Sequence, residues 1–435
     1  MLQKMRALTG IVMTTGMLLA ALASPVAAAD GVTFAGNFNG PQGVLVAPDG
    51  SVWVIDGGVG GDQTIEMPNP ETGEMTTVSI GNTSRIVKID EFGKQTEIAR
   101  LPSIALGMES LGGARLALQD GVLYATSGGW NPDMGETAMP LTGAVVKVDG
   151  ANVSEVAQIW KLEKEKNPDG TLVDTHPYGI LAGPDGNLWV ADAGGNTLLK
   201  VDPATGAISV AAVFPGLPAP MSNPARGGKN ETDSVPTAVA VGPDGAVYVS
   251  YLSGAPFLPG SAKVVKVAAN GAISDYATGL TTLTDLRLAP DGNLYATSFG
   301  QFGEQGPTPG SGAIVRIKPG SASEAVVTGL DFATSLAFNA AGDAYVAVNG
   351  VGAPGSGAVM LYKGLAAPAA SAPAAVAPVA APAAAPATAD AAAAPPPATL
   401  PVTGGASDLR APVALVGVVA GLLLARRVAQ ARAAR

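Results

Sequence analysis

A turn of the type Pro-Asp-Gly, flanked by alternating apolar residues, recurs along this 435-residue chain and limits its fold more than any other sequence feature. Copies stand at Pro48-Asp49-Gly50, Pro184-Asp185-Gly186, Pro243-Asp244-Gly245 and Pro290-Asp291-Gly292, with degenerate copies at Gln119-Asp120-Gly121 and Ala340-Ala341-Gly342. Asp and Gly suit such turns because they tolerate positive φ, and Pro presets the approach. Three residues after each of the six glycines stands an aromatic: Trp53, Tyr124, Trp189, Tyr248, Tyr295 or Tyr345. Aromatics make up only 5% of the chain, so six out of six is not chance. After a variable loop, a second strand carries Lys88, Lys147, Lys200, Lys266 or Arg316 in five copies and Leu361 in the sixth. Seven residues before the glycines stand Gly43, Ala114, Gly179, Ala238, Asp285 and Ser335. Mostly small side chains there fit strands that converge on an axis.

The glycines are spaced by 71, 65, 59, 47 and 50 residues, enough for four strands per copy. Strands of this alternation need cover on both faces, and six copies closing radially supply it. The sequence therefore predicts an all-β chain, a six-bladed β-propeller over residues 30–364. No strand pattern follows Tyr362, so the segment Val32-Thr33-Phe34-Ala35 is expected to complete the sixth blade and remove the open edge.

The repeat string, Pro-Asp-Gly followed by an aromatic and later a basic residue between aliphatics, resembles NHL-type propeller repeats. The third copy reads Asn167-Pro168-Asp169-Gly170, then Asp174-Thr175-His176-Pro177-Tyr178-Gly179, then Val190-Ala191-Asp192-Ala193-Gly194-Gly195-Asn196. With the passage into the fourth copy, it resembles the ScyD/ScyE family over residues 32 to 363. That resemblance implies a secreted six-bladed propeller without a defined biochemical role.

The two ends carry different information. Lys4 and Arg6, an apolar run and small residues up to Ala29 describe a secretory signal peptide over residues 1–29, cut after Ala29. Residues 365–399 are Ala and Pro with hardly any charge, a composition that gives an extended stalk rather than a core. Leu400-Pro401-Val402-Thr403-Gly404, an apolar segment and a basic tail then follow in residues 400–435. This resembles a sortase sorting signal, with cleavage implied between Thr403 and Gly404; a permanent membrane helix is the other reading. Either places the body outside the cell, held at its surface through sortase or the membrane. Between Asp30 and Thr403 there are 18 basic and 34 acidic side chains, a net charge of −16 that disfavours nucleic acid.

The Pro-Asp-Gly turns all fall on one face of a propeller. Long insertions near 57–83, 128–142, 252–261 and 299–311, with segments 155–175 and 215–235, fall on the other. This loop face is where binding is expected. Around the channel on that side the repeat register gathers Glu109, Asp174, His176, Tyr178, Asp192 and Asp285 as candidate ligand-binding residues, with Asp56 ending another strand. Such carboxylates suit Ca²⁺, although Asp56 and Asp192 read equally well as turn caps. No other cofactor is expected. His176 is the sole histidine and there is no cysteine, which excludes multi-histidine and thiolate metal sites. The sequence thus points to a monomeric binding or scaffold module for a protein, glycan or small ligand, with no catalytic residue assigned. The alternative is a hydrolase or lyase using a carboxylate-held metal in the channel.

Overall fold

The computed structural model describes residues 30–68, 74–106, 109–303 and 306–368. The expected signal peptide with Ala29, nearly all of the stalk, and the sorting signal with Thr403 and Gly404 lie outside the described residues.

Within the first Pro-Asp-Gly turn, the Ala47 N–H donates to Ser51 O at 2.9 Å and the Gly50 N–H to Ala47 O at 2.9 Å. Gly50 has φ of 82°, the left-handed conformation that favours glycine. The aspartate does something other than expected. Asp49 keeps negative φ, and its Oδ1 accepts from the Ser51 N–H at 3.0 Å. Asp185, Asp244 and Asp291 make the same bond to Asn187, Ala246 and Asn293. The turn thus selects aspartate as an acceptor that closes an Asx turn.

Each turn joins the inner strand of an antiparallel sheet to the strand beside it. The inner strands are Pro41–Val46, Gly113–Gln119, Pro177–Ala182, Pro236–Val241, Leu283–Leu288 and Ser335–Phe338. Each heads a sheet of at least four strands, and each touches the inner strands before and after it, the last meeting the first. The molecule is a β-propeller. Strand Val32–Phe38 pairs antiparallel with Gly357–Tyr362, Val32 facing Leu361 and Phe38 facing Gly357, so the chain's first described strand is the outermost of its last sheet. Both described ends therefore lie on the turn face, where Ala366 N–H donates to Gly342 O at 2.9 Å.

The core is divided into apolar clusters between adjacent sheets, for example Tyr248 and Val264 against Leu286 and Leu294. On the turn face the repeat builds a ladder of threes. Trp53 faces Lys88 across the strands, and Lys88 Nζ lies over its ring at 5.3 Å and 3.3 Å from Asp49 Oδ2. Lys200 repeats this with Trp189 and Asp185, and Lys266 with Tyr248 and Asp244, at ion-pair distances of 2.8 and 2.7 Å. The hydrogen bond from Ser51 and the Lys88 ammonium hold the Asp49 carboxyl down at about 2.

The insertions build extra structure on the other face. They include the hairpin of Gln63–Pro68 with the start of Met75–Ile89, the hairpin of Leu217–Asn223 with Lys229–Thr232, and a helix over Ile159–Lys166. The charged run 161–166 lies in that helix, whose Trp160 and Leu162 are buried and whose Lys164 pairs with Glu136 at 2.7 Å. Among the described residues no helix is long and apolar enough to cross a membrane.

Candidate functional site

The innermost register of the sheets is set by pairing, and one blade departs from the sequence expectation. Gly43, Gly179, Ala238, Asp285 and Ser335 each pair with the residue five after the turn glycine. In the second blade Gln119 pairs directly with Val122 across a two-residue turn, with Asp120 at φ 50° and Gly121 at 78°. That turn is one residue shorter, so the register slips by one. Arg115, not Ala114, takes the innermost place, its N–H donating to the Thr126 hydroxyl at 3.0 Å.

Glycine in the adjoining blade makes room for it. A Cβ on Gly43 would lie 2.6 Å from Ala114 O and 3.1 Å from Arg115 Cα. The Arg115 side chain, 1% exposed, runs across the axis. Its Nη2 donates to Thr284 O and to Thr334 O, both at 2.7 Å, and its Nη1 to Gln42 O and Ala114 O. Its guanidinium lies 4.3 Å above the Tyr178 ring, and its Nε is 3.7 Å from Asp285 Oδ2. One side chain from the second blade thus binds the first, third, fifth and sixth. Threonines beside it latch neighbouring blades: Thr237 Oγ1 to Leu283 O at 2.9 Å, Thr284 to Ala333 O at 2.9 Å, and Thr334 to Pro41 O at 2.6 Å.

The residues expected to form the site occupy this buried layer. Tyr178, under the guanidinium, donates its hydroxyl to Gln42 Oε1 at 3.2 Å. The His176 ring meets Tyr178 edge-on at 5.4 Å. Burial, and then the Arg115 charge, pull the imidazole down to about 4, so it is neutral at physiological pH. Its Nδ1 has no hydrogen-bond partner among the described residues. Asp192 accepts from Thr175 Oγ1 and the His176 N–H, both at 2.7 Å, and burial raises its carboxyl to about 6 against those hydrogen bonds. Asp285 accepts from the Leu286 N–H at 2.9 Å, from Ser335 Oγ at 2.5 Å and from the Leu336 N–H at 3.2 Å. Asp56 is buried against Arg85, at 2.6 Å. Asp174 is buried in the segment that precedes the third blade. Glu109 opens a short strand, and its side chain lies outside the described residues.

His176, Tyr178 and Asp285 are therefore linked through Arg115, while the carboxylates do not converge. Asp56, Asp192 and Asp285 spend their oxygens on protein donors, the capping role that the sequence allowed for the first two. Among the described residues no three His, Asp or Glu side chains come together as a metal would need. Arg115 and the threonine latches were missing from the sequence reading. A threonine eight residues before the turn glycine in three consecutive copies was the available signal.

Above this layer the insertions close the loop-face mouth with one apolar cluster. It joins Met67 and Ile80 of the first blade, Trp130 and Trp160 of the second and its outgoing helix, Leu252 and Phe257 of the fourth, Phe299 of the fifth and Val351 of the sixth. The opposite mouth is open. Two adjoining cavities of about 390 and 380 Å³ lie among the inner-strand ends beside the Pro-Asp-Gly turns, both bordered by Arg287 and Leu288.

No family model and no curated protein matches the chain. Among solved structures, the chain is similar to a putative oxidoreductase (glucose dehydrogenase) from Thermus thermophilus, with 17% identity, 76% of this chain and 99% of that one covered, and a TM-score of 0.45. It is similar also to virginiamycin B lyase from Staphylococcus aureus, with 15% identity, 74% and 95% covered and a TM-score of 0.40. A gluconolactonase from Xanthomonas campestris aligns at 10% identity, 77% and 98% covered and a TM-score of 0.40. These neighbours are β-propellers, and the activities in their names are theirs.

Proposed function

We propose that this chain is an exported β-propeller, of the kind its sequence resembles in the ScyD/ScyE family, that is held at the cell surface and binds a protein, glycan or small ligand through its loop face. The observation that carries this reading is the single apolar cluster that locks insertions from different blades into one cap. Loops fixed by a shared core present a preorganised surface, which lowers the entropic cost of binding. Asp174, His176, Tyr178, Asp192 and Asp285 form the floor beneath that cap, and ligand contacts fall on its outer side. There Met75 and Met221 are 62% and 63% exposed at the hairpins of the first and fourth blades, and methionine adapts its shape to a partner.

The way the chain leaves the propeller supports the same orientation. Residues 363–366 turn back against the Gly342 turn, on the face opposite the insertions. A tether attached at Thr403 draws the turn face toward the surface and leaves the loop face outward. A carboxylate-held metal finds less support, because Asp56, Asp192 and Asp285 are committed to protein donors.

Binding of the purified body to intact cells and to a glycan array tests the assignment of the face. Met75→Asp with Met221→Asp lowers binding at least tenfold, whereas Phe92→Asp, 87% exposed on the turn face, leaves it unchanged. Equal loss in both variants overturns it. For the anchor, Thr403→Ala moves the protein out of the covalently attached wall fraction; retention there refutes sortase processing.

A further inference from the structure

The open mouth on the turn face has no part in the reading above, and its chemistry is specific. Leu45, Val46, Ala337 and Phe338 line one cavity and Leu181 and Val241 the other, in each case with Leu288, which is 41% exposed. Arg287 is the only ionisable residue on either wall. Both volumes fall within the roughly 300–1,000 Å³ of small-molecule pockets.

Two arginines flank Asp285 on the axis. Asp285 Oδ1 lies 3.2 Å from Arg287 Nε, and Asp285 Oδ2 lies 3.7 Å from Arg115 Nε. Among the described residues neither arginine has another carboxylate within ion-pair reach. The carbonyls around Arg115 accept from its Nη1 and Nη2 and leave its charge in place. Two guanidinium groups thus share one carboxylate, and the one that reaches the mouth is Arg287, 18% exposed against 1% for Arg115. Of the turn-face aspartates, Asp49, Asp185 and Asp244 each hold their own lysine, while Asp291 accepts from Asn293 Nδ2 and from the Tyr295 hydroxyl, itself bonded by Arg316. Apolar walls strengthen the attraction of the Arg287 charge for an anion. Those walls also favour a ligand that brings apolar surface with it.

We infer that the turn-face mouth of the channel binds a small monocarboxylate with an apolar body, its carboxylate on Arg287 and its hydrocarbon against Leu288 and the inner-strand ends. The site is independent of the loop face. Hydrophobic contact alone would accept an alcohol or an amine of the same length, and the Arg287 guanidinium discriminates against both.

Isothermal titration of the body with octanoate, octanol and octylammonium tests it. Octanoate is expected to bind one per chain, with octanol at least tenfold weaker and octylammonium silent. Arg287→Gln reduces octanoate binding at least tenfold. Leu288→Glu, at an exposed position that leaves Asp285 and both arginines in place, abolishes it without lowering thermal stability. Met75→Asp with Met221→Asp leaves it unchanged, which separates this site from the loop face. Equal binding of octanoate and octanol, binding that survives Leu288→Glu, or no binding at millimolar octanoate would each overturn the inference.

Discussion

The two faces of the propeller come from one repeat and have diverged. The turn face is regular: an aspartate that closes the turn, an aromatic three residues past the glycine, and a cation that covers the ring. The contacts of these three residues lie within single blades, between positions a few residues or one strand apart. The loop face is irregular, and its contacts join blades that are far apart in sequence. Between them lies the layer of Arg115 and the threonine latches, where neighbouring blades are fastened to one another. The difference teaches that the repeat specifies each sheet, whereas departures from it assemble the ring and cap one end.

Substitutions that remove one class of contact at a time separate these contributions. Arg115→Met is expected to have the largest effect, about 3–5 kcal/mol of stability by denaturant unfolding, because it leaves Asp285 buried without one of its cations. Adding Asp285→Ala recovers part of that loss; no recovery would mean that the interblade hydrogen bonds, and not the ion pair, dominate.

Acidity offers a second test, through two buried groups with opposite signs. His176, lowered from 6.5 to about 4, stays unprotonated in the fold while the unfolded chain takes up a proton, so it costs stability as pH falls through that window. Asp192, raised from 3.8 to about 6, takes up its proton earlier in the fold and adds stability as pH falls from 6 toward 4. The two nearly cancel in the native protein. His176→Phe is expected to expose the Asp192 slope, with stability rising by up to about 3 kcal/mol between pH 6 and 4. Unfolding midpoints at several pH values check the sign.

Thr334→Val cuts the latch between the sixth and first blades and strands a buried carbonyl, costing about 1–3 kcal/mol. Lys200→Ala on the turn face is expected to cost no more than about 1 kcal/mol, because its ion pair is partly exposed. A larger effect of Lys200 than of Thr334 would reverse the ranking of the two regions.

The regular face was legible in the sequence because its rules are local. The spacing from glycine to aromatic and the basic residue facing it follow from turn geometry and strand pairing within a single blade. Strand Val32–Phe38 was legible for a global reason, the missing partner after Tyr362. The centre was harder to read. Placing Arg115 requires knowing that Asp120-Gly121 forms a two-residue hairpin turn, and the missing proline does not mark it, since Ala340-Ala341-Gly342 also lacks one and keeps the regular register. Counting all six copies alike put Ala114 at the axis and made Asp285 look available, when Ser335 and two arginines occupy it. The cap left little periodic trace: Leu252 and Phe299 share one repeat position, seven residues after the turn glycine, but Met67, Trp130 and Phe257 are scattered through insertions of unequal length, and only the closed ring brings them together.

The pairing of Val32–Phe38 with Gly357–Tyr362 has a temporal consequence. The propeller's earliest strand waits for a mate about 320 residues downstream, so the clasp shuts only after the whole body has been synthesised. Until then five sheets can assemble in order behind the advancing chain. A truncated product lacking the final strand would carry two unzipped borders ready to recruit a stranger, so the molecule reports its own completion by ceasing to be adhesive.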